Sequence, residues 1–247
     1  MLGLKKLVVV FLVYFPVVIA AQSSFPFQLR PPRETVIWGV TGGMNAAGII
    51  LNLENKPFTI NGLYALSRDQ IGFVFDRKAT YNWSPRSAKI SDVLMFGAYT
   101  APFWLGLSPI FRQKNNAGTM TAMAAQTFLL TAGITNVVKN AVRRPRPFLY
   151  NPDAPLADKL ERDGRQSFFS GHTSTTAAMC FFTAQTYAKV YPQSRSKYVV
   201  WGAAIVLPAL TGIYRIKAGK HFPSDIVVGY TVGALVGLAV PYWHRRG

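Results

Sequence analysis

The stretch YRIKAGKHFPSD, from Tyr214 to Asp225, lies between two long apolar segments near the end of the 247-residue chain. It includes the charged residues Arg215, Lys217, Lys220 and Asp225, together with one of the protein's three histidines. Charged side chains are costly to place beside apolar segments and are kept there when they have a task. The stretch is therefore the first candidate for a functional site.

His221 and Asp225 are spaced so that a carboxylate can hold an imidazole. A carboxylate that accepts a hydrogen bond from one ring nitrogen fixes the tautomer and leaves the other nitrogen free as a nucleophile or base. Pro223 and Ser224 mark a helix start, with Ser224 as the predicted N-cap. Arg215 offers a planar set of donors that suits phosphate oxygens. The alternative is a basic loop that contacts lipid headgroups.

A second basic cluster, KNAVRRPRP, runs from Lys139 to Pro147 and follows another apolar run. Lys139 is predicted at the end of that helix, and the prolines force an extended exit that carries Arg146 away from the helix axis. For Arg143 and Arg144 we expect no more than a basic helix end whose side chains reach toward water.

A third cluster, SFFSGHTS, runs from Ser167 to Ser174 and opens a further apolar run. A Ser-Gly-His step at a helix start offers free backbone N–H groups, a small residue that permits close approach, and a titratable acid. Together these suit an anionic ligand. Taken alone, the step is a weak signal, and it is more typical of a structural histidine.

The three clusters follow one another as K-x6-R-P, S-G-H and R-x5-H-x3-D, each beside an apolar helix. This pattern resembles the type 2 phosphatidic acid phosphatase and vanadium haloperoxidase superfamily, called PAP2, and within it the membrane lipid-phosphatase branch. The resemblance covers residues 139–225 directly, and the helix pattern extends it to about residue 92.

The resemblance implies a role for each matching residue. His221 would attack phosphorus and form a phosphohistidine, Asp225 would orient it, and His172 would protonate the leaving oxygen and later activate water. The phosphate oxygens would be bound by Lys139, Arg146, Ser170, Gly171 and Arg215. Because lysine and arginine neutralise the developing charge, the resemblance implies neither a metal nor another cofactor.

Two positions depart from the family pattern. Phe169 stands where proline usually precedes Ser-Gly-His, and Tyr214 stands where serine usually precedes the arginine. Neither change removes a catalytic group, so we expect activity to survive. The change at Tyr214 removes a small hydroxyl beside the phosphate site and could alter the fit of the headgroup.

The composition is 50% hydrophobic with a formal charge of +17. Several long apolar runs argue against a nucleic-acid-binding protein, and the basic excess suits anionic lipid surfaces and phosphorylated substrates. The single cysteine, Cys180, lies in an apolar run and is expected to serve packing. The oligomeric state is left open.

The first part of the chain has three sections. Residues 1–21 have the layout of a signal peptide or an uncleaved signal anchor, and either would carry Gln22 across the membrane. Residues 36–52 are rich in glycine and form either a spanning helix or a packed or half-inserted one. The residues that follow, up to 91, are expected to be an interfacial loop, so that 22–91 forms a membrane-associated segment.

From residue 92 the pattern becomes regular. Apolar runs at 93–111, 119–138, 173–190, 198–214 and 226–243 each approach the ~20 residues that a bilayer span needs. We therefore predict an all-α transmembrane bundle of about six helices, with a PAP2-type core over 92–247. Basic residues in alternate breaks predict a cytoplasmic face opposite the three clusters. The expected location is a bacterial inner membrane with the active site facing the periplasm.

The last helix carries Gly229, Gly233 and Gly237 four residues apart. Small residues in this register let a neighbouring backbone approach closely within a membrane. We expect tight helix packing there rather than a ligand site.

The leading hypothesis is a metal-independent membrane phosphatase acting on a lipid phosphate or diphosphate. Substrates implied by the family are phosphatidic acid, phosphatidylglycerol phosphate, undecaprenyl diphosphate and the phosphate of lipid A. One alternative is a secreted, soluble acid phosphatase of the same superfamily, in which the apolar runs would be core helices. A haloperoxidase is disfavoured by the short chain. From another class, the alternative is a non-catalytic, lipid-binding membrane protein.

Overall fold

The computed structural model describes residues 25–105 and 109–246. Within them the chain forms α1 (Pro31–Leu53), α2 (Ile60–Tyr64), α3 (Val74–Arg77), α4 (Pro85–Leu105), α5 (Pro109–Arg112), α6 (Lys114–Val142), α7 (Leu156–Lys159), α8 (Gly171–Val190), α9 (Ser196–Lys217) and α10 (Pro223–Trp243). Six of these helices have 20 or more residues. The predicted all-α bundle of about six helices is therefore confirmed. The signal segment predicted at 1–21 lies outside the described residues.

Four stretches of the described chain are long and apolar enough to cross a membrane: Pro31–Leu53, Asn115–Tyr150, Ser196–Lys217 and Pro223–Trp243. Residues 36–52, for which the sequence leaves a spanning and a half-inserted helix open, belong to one continuous helix of spanning length. Large apolar side chains lie exposed along the outside of the bundle, among them Val36, Val40, Ile49, Val93, Phe103, Val199, Ile205, Val227 and Leu235. Such a surface suits lipid rather than water, and the chain is an integral membrane protein.

Helix α8 lies at the centre of the bundle, where α4, α6, α9 and α10 pack against it. Most of its side chains are buried, and many are small or carry a hydroxyl, as in the run 173–178. Hydroxyls such as that of Thr183, which donates to the carbonyl oxygen of Met179 at 2.7 Å, are satisfied within the helix. Because neighbouring helices shield α8 from lipid, it does not need the apolar surface that an outer helix needs.

The three glycines of α10 pack tightly, as the sequence predicts, and the helix that they face is α8. A Cβ atom added at Gly229 would lie 2.7 Å from the carbonyl oxygen of Ser170. One added at Gly233 or Gly237 would lie still closer to the α8 backbone. This contact holds the first turn of α8 against the first turn of α10, and both turns carry sequence clusters.

Helix α1 packs along α6. The asparagines of α1 are accommodated because their side chains form hydrogen bonds to neighbouring parts of the chain. The side-chain amide of Asn45 donates to the carbonyl oxygen of Leu129 at 2.9 Å. Near the end of α1, the side-chain oxygen of Asn52 accepts from Gln166 at 2.8 Å. A half-buried amide that has its partners costs little, so α1 combines spanning length with polar contacts.

The third histidine, His244, lies at the end of the bundle opposite the three clusters. Its Nε2 is 3.0 Å from a carboxylate oxygen of Glu34, and Gln126 donates to the other oxygen of the same carboxylate at 2.7 Å. These contacts join the first turn of α1, α6 and the end of α10. His244 therefore has a structural role.

Candidate active site

The three sequence clusters meet at one end of the bundle, where α6 ends, α8 begins and α9 is joined to α10. The backbone N–H of Ser170 donates to the carbonyl oxygen of Asp225 at 3.1 Å, and Arg146 donates to the carbonyl oxygen of Lys220 at 3.2 Å. The structure thus gathers the candidate residues of all three clusters: Lys139, Arg146, Ser170, Gly171, His172, Arg215, His221 and Asp225.

His221 is almost completely buried and holds one ring nitrogen in a fixed bond. Its Nδ1 lies 2.7 Å from the carbonyl oxygen of Ser167, whereas the nearest oxygen of Asp225 is 3.7 Å away. A carbonyl oxygen can only accept, so Nδ1 carries the proton and the neutral ring keeps its lone pair on Nε2. The predicted geometry is therefore corrected: the Ser167 carbonyl, rather than the Asp225 carboxylate, fixes the tautomer.

Asp225 instead organises the chain around His221. One of its oxygens accepts from the hydroxyl of Ser167 at 2.5 Å and from the backbone N–H of Phe222 at 2.8 Å. Phe222 is the N-cap residue of α10, which corrects the N-cap predicted at Ser224. The carboxylate thus fixes both the residue whose carbonyl holds His221 and the residue next to it.

Arg144 is a site residue that the sequence analysis did not single out. Its guanidinium bonds Asp225 at 2.5 Å and Asp76 at 2.8 Å, and it lies 4.1 Å from the centre of the Phe222 ring. Both carboxylates are fully buried and need a cation. Its neighbour Arg143 ends α6 in a left-handed conformation and pairs at 3.4 Å with Glu54 near the surface. The two arginines, expected to behave alike, therefore differ.

Three further cations are buried around His221. Lys139 donates to the carbonyl oxygen of Gln166 at 2.5 Å, and Arg146 donates to that of Asp163 at 2.8 Å. The Nε of Arg215 is buried without a hydrogen-bond partner among residues 25–105 and 109–246. A buried N–H group ordinarily has a hydrogen-bond acceptor, and an anion bound at this site would provide one for Arg215.

The three buried cations affect the pKa of His221. Burial lowers the pKa of His221 well below its ordinary value, and the charges of Lys139, Arg146 and Arg215 lower it further. The ring is therefore neutral near pH 7, with Nε2 available as a base or nucleophile.

Ser170 and Gly171 shape the start of α8, as the Ser-Gly-His step predicts. Ser170 is the N-cap, and its hydroxyl accepts from the backbone N–H of Thr173 at 3.3 Å. A Cβ atom added at Gly171 would lie 3.5 Å from Cε of Lys139. This is an ordinary van der Waals distance, and it shows that the Lys139 side chain passes over the helix start.

His172 lies in the first turn of α8 and faces α4. Its Nε2 is 2.8 Å from a carboxylate oxygen of Asp92, which also lies 3.8 Å from Arg215. The sequence analysis named Asp92 only as the start of the regular helix pattern. No local signal marks this residue, because it stands 80 positions before His172 in the chain.

A cavity of about 200 Å³ opens beside His172, between α4, α6 and α8. It is lined by Lys139, Gly171 and His172, by the apolar and aromatic side chains of Met95, Tyr99, Phe128 and Ala132, and by the polar side chains of Thr135, Asn136 and Thr175. The basic site therefore continues into an apolar space within the bundle.

Phe169 and Tyr214 are placed differently from each other. Phe169 is buried, and its ring lies 3.5 Å from a Cβ atom added at Gly229, at the seam between α8 and α10. Tyr214 is half-buried with Lys217 over its ring.

Among the described residues, no three histidine, cysteine, aspartate or glutamate side chains are grouped as a metal ion would require.

Comparison with known proteins places these features in a family. A family model described as the PAP2 superfamily matches residues 119–247. A protein of Schizosaccharomyces pombe named probable diacylglycerol pyrophosphate phosphatase 1 is 33% identical over 130 residues, which cover 43% of this chain and 45% of that protein. A lipid A 1-phosphatase of Rhizobium johnstonii is 31% identical over 114 residues, which cover 45% and 43% of the two chains. The chain spans about half the length of these curated relatives.

A solved structure has a similar fold. It is the crystal structure of a transmembrane PAP2-type phosphatidylglycerolphosphate phosphatase from Bacillus subtilis, with a TM-score of 0.52 and 22% sequence identity. The similarity covers 82% of this chain and 94% of the other. Together with the family match, it confirms the resemblance inferred from the three motifs.

Proposed function

This chain belongs to the PAP2 superfamily, and on that premise we propose that it is a membrane phosphatase that removes phosphate from a lipid phosphate or diphosphate without a metal. The relatives described above carry the names of lipid phosphatases, which supports this reaction class. The observation that carries the proposal is the buried, neutral His221, which keeps its Nε2 lone pair among three buried cations.

The proposed chemistry has two steps. In the first, Nε2 of His221 bonds to phosphorus, the bond from phosphorus to the leaving oxygen breaks, and His172 gives that oxygen a proton. In the second, water attacks phosphorus, its proton passes to His172, and the phosphorus–nitrogen bond breaks. Inorganic phosphate leaves, and both histidines return to their starting forms.

Lys139, Arg146 and Arg215 are proposed to bind the phosphate oxygens, with Ser170 and Gly171 at the helix start beside them. Their burial supports this role, because a cation in a dry site stabilises developing negative charge far more than one in water. Asp225 is proposed to act on His221 through Ser167, whose carbonyl oxygen holds the ring. No cofactor is proposed.

The lipid part of the substrate is inferred from the cavity beside His172. Apolar side chains of α4 and α6 line part of the same space as Lys139, so a headgroup could reach the cations while its tail stays among apolar groups. Phosphatidic acid, phosphatidylglycerol phosphate, undecaprenyl diphosphate and a lipid A phosphate all have this form. The bilayer and its lipid phosphate are the proposed partners, and nucleic acid is not.

We also propose that the active-site end faces the periplasm of a bacterial inner membrane. Helix α1 ends at the active-site end, so this orientation requires α1 to begin in the cytoplasm. If α1 crosses the membrane, a signal that carries Gln22 across and a periplasmic active site exclude each other. The opposite end of the bundle carries Arg195, Lys197, Arg245 and Arg246, which suits the cytoplasm.

The test is phosphate release from phospholipid and polyprenyl phosphate substrates by the detergent-purified protein in the presence of EDTA. We expect release by the wild type and its loss in His221→Ala, with equal amounts of folded protein as judged by gel filtration. Lys217→Ala, at an exposed position near the end of α9, is the control and should keep activity.

Other outcomes would contradict the proposal in distinct ways. Turnover of a soluble phosphate ester but of no lipid would support the secreted acid phosphatase. Release of no phosphate from any substrate would support a non-catalytic, lipid-binding protein. Release that EDTA abolishes would contradict the metal-independent mechanism.

A further inference from the structure

Asp92 lies in α4, outside the three motifs, yet it contacts residues from two of them. Its carboxylate oxygen lies 2.8 Å from Nε2 of His172 and 3.8 Å from the guanidinium of Arg215. The side chain of Asp92 is 43% exposed. It is thus an acidic group at the edge of a basic site that should bind anions.

The bond between Asp92 and His172 assigns the protons of the imidazole. A carboxylate that is ionised can only accept, so Nε2 of His172 must carry a proton. Nδ1 of His172 has no hydrogen-bond partner among the residues that the structure describes. Nδ1 is therefore the ring nitrogen that can gain and lose a proton while the bond to Asp92 persists.

We propose that Asp92 is the positioning residue of His172: it holds the Nε2–H of the ring so that Nδ1 gives its proton to the leaving oxygen. This inference rests on the phosphatase function proposed above. In the first step the imidazolium loses the Nδ1 proton to the leaving oxygen and remains neutral with its Nε2–H on Asp92. In the second step Nδ1 takes a proton from the attacking water, which restores the imidazolium beside the carboxylate.

The surroundings of His172 explain why such a partner is needed. Burial and, after it, the charges of Arg215, Arg146 and Lys139 lower the pKa of His172 to about 2, so an imidazolium forms only with negative charge beside it. A carboxylate in contact with the ring stabilises the imidazolium that must form in each cycle. The placement on α4 is supported by a second contact between the same helices, since Tyr99 and Thr175 lie 3.0 Å apart through their hydroxyls.

The test compares two phosphate monoesters that differ in their need for a general acid. The leaving oxygen of p-nitrophenyl phosphate departs readily as an anion, whereas that of a short-chain phosphatidic acid is an alkoxide and needs a proton. The quantity measured is kcat/KM, because it reports the steps up to formation of the phosphohistidine. Hydrolysis of the phosphohistidine is the same for both substrates and does not enter it. The variants are Asp92→Asn, which keeps the size of the side chain, and Asp92→Ala.

We expect both variants to lose about 10- to 100-fold in kcat/KM on phosphatidic acid, part of the effect usual for a general acid, and to change little on p-nitrophenyl phosphate. Asp92→Glu should recover part of the loss. Asp69→Asn, a neutralised carboxylate whose side chain is 91% exposed, is the control and should act like the wild type on both substrates.

Each other result has a defined meaning. An equal loss on both substrates, or no loss on either, would overturn the role of Asp92 while leaving the phosphatase function intact. A gain on both substrates would also overturn it, because Asp92 would then act by repelling anions. A wild type that releases phosphate from neither ester would contradict the proposed function itself.

Discussion

At the scale of single residues, the candidate site depends on which acceptor holds each histidine. The ring of His221 is fixed by a backbone carbonyl and that of His172 by the carboxylate of Asp92. A backbone carbonyl cannot take up a proton, so the tautomer of His221 is stable to changes in pH. A carboxylate instead stabilises a positive ring, which suits the residue that is proposed to carry a proton.

Arg144 and Arg143 give a matched test at this scale. Arg144→Gln should destabilise the protein by about 3 kcal/mol, because it leaves the buried carboxylates of Asp76 and Asp225 without a cation. It should also abolish most phosphate release, since Asp225 would no longer hold Ser167. Arg143→Gln, which breaks only a surface pair, should cost less than about 1 kcal/mol. Thermal unfolding in detergent and phosphate release measure both effects.

Similar unfolding midpoints for the two variants would contradict this assignment. Arg144 would then be no more than a basic helix end, as the sequence analysis expected.

At the scale of helices, the close contact of α8 and α10 places the catalytic groups. Ser170 begins α8 and Asp225 lies in the first turn of α10, and their backbones bond directly. The glycines of α10 continue this contact along the helix, so the distance between the two helices sets the distance between His172 and His221. Packing in the middle of the bundle is thereby coupled to the geometry at its end.

Gly233→Ala tests this coupling. The added methyl would overlap the backbone of α8 at Ser174, and overpacking of this kind costs about 1–3 kcal/mol. We expect a lower unfolding midpoint and reduced phosphate release, although residue 233 is remote from the site. Gly202→Ala in α9 meets nothing within 4 Å and should be neutral or slightly stabilising. If both variants unfold at the wild-type temperature, the contact does not hold the bundle together.

At the scale of the whole molecule, the open question is which end of the bundle meets which compartment. Cysteine labelling can answer it in a Cys180→Ala background, because Cys180 is the only native cysteine. We expect Asp153→Cys, at the active-site end, to react with a membrane-impermeant maleimide in intact spheroplasts. Gln193→Cys, at the other end, should react only after the membrane is opened. The reverse pattern would place the active site in the cytoplasm and indicate that a segment before α1 also crosses.

The link between α1 and α4 has the surface expected of an interfacial segment. Large side chains are exposed along it, namely Ile60, Tyr64, Phe73, Val74, Phe75 and Tyr81. Trp83, in the same link, instead packs against Phe148. We propose that this link rests among lipid headgroups as part of the membrane-associated segment 22–91. The division of the chain into this segment and a core at 92–247 stays a prediction.

The amino-acid sequence by itself determined the helical class, the membrane setting, the family and the residues of the three motifs. These features follow from local composition and from spacing along the chain, both of which can be read without knowing which surfaces meet. The glycine seam of α10 belongs with them, because a four-residue repeat of glycine places all of them on one helix face.

Only the tertiary structure decided how the motifs are held. It shows that the Ser167 carbonyl fixes the tautomer of His221. It also shows that Arg144, unlike Arg143, binds Asp225, and that Asp92 contacts His172. Each of these contacts joins residues that are far apart in the chain, so no spacing within a motif encodes it. They depend on how helices pack around α8, and packing is a property of facing surfaces rather than of any one stretch of sequence.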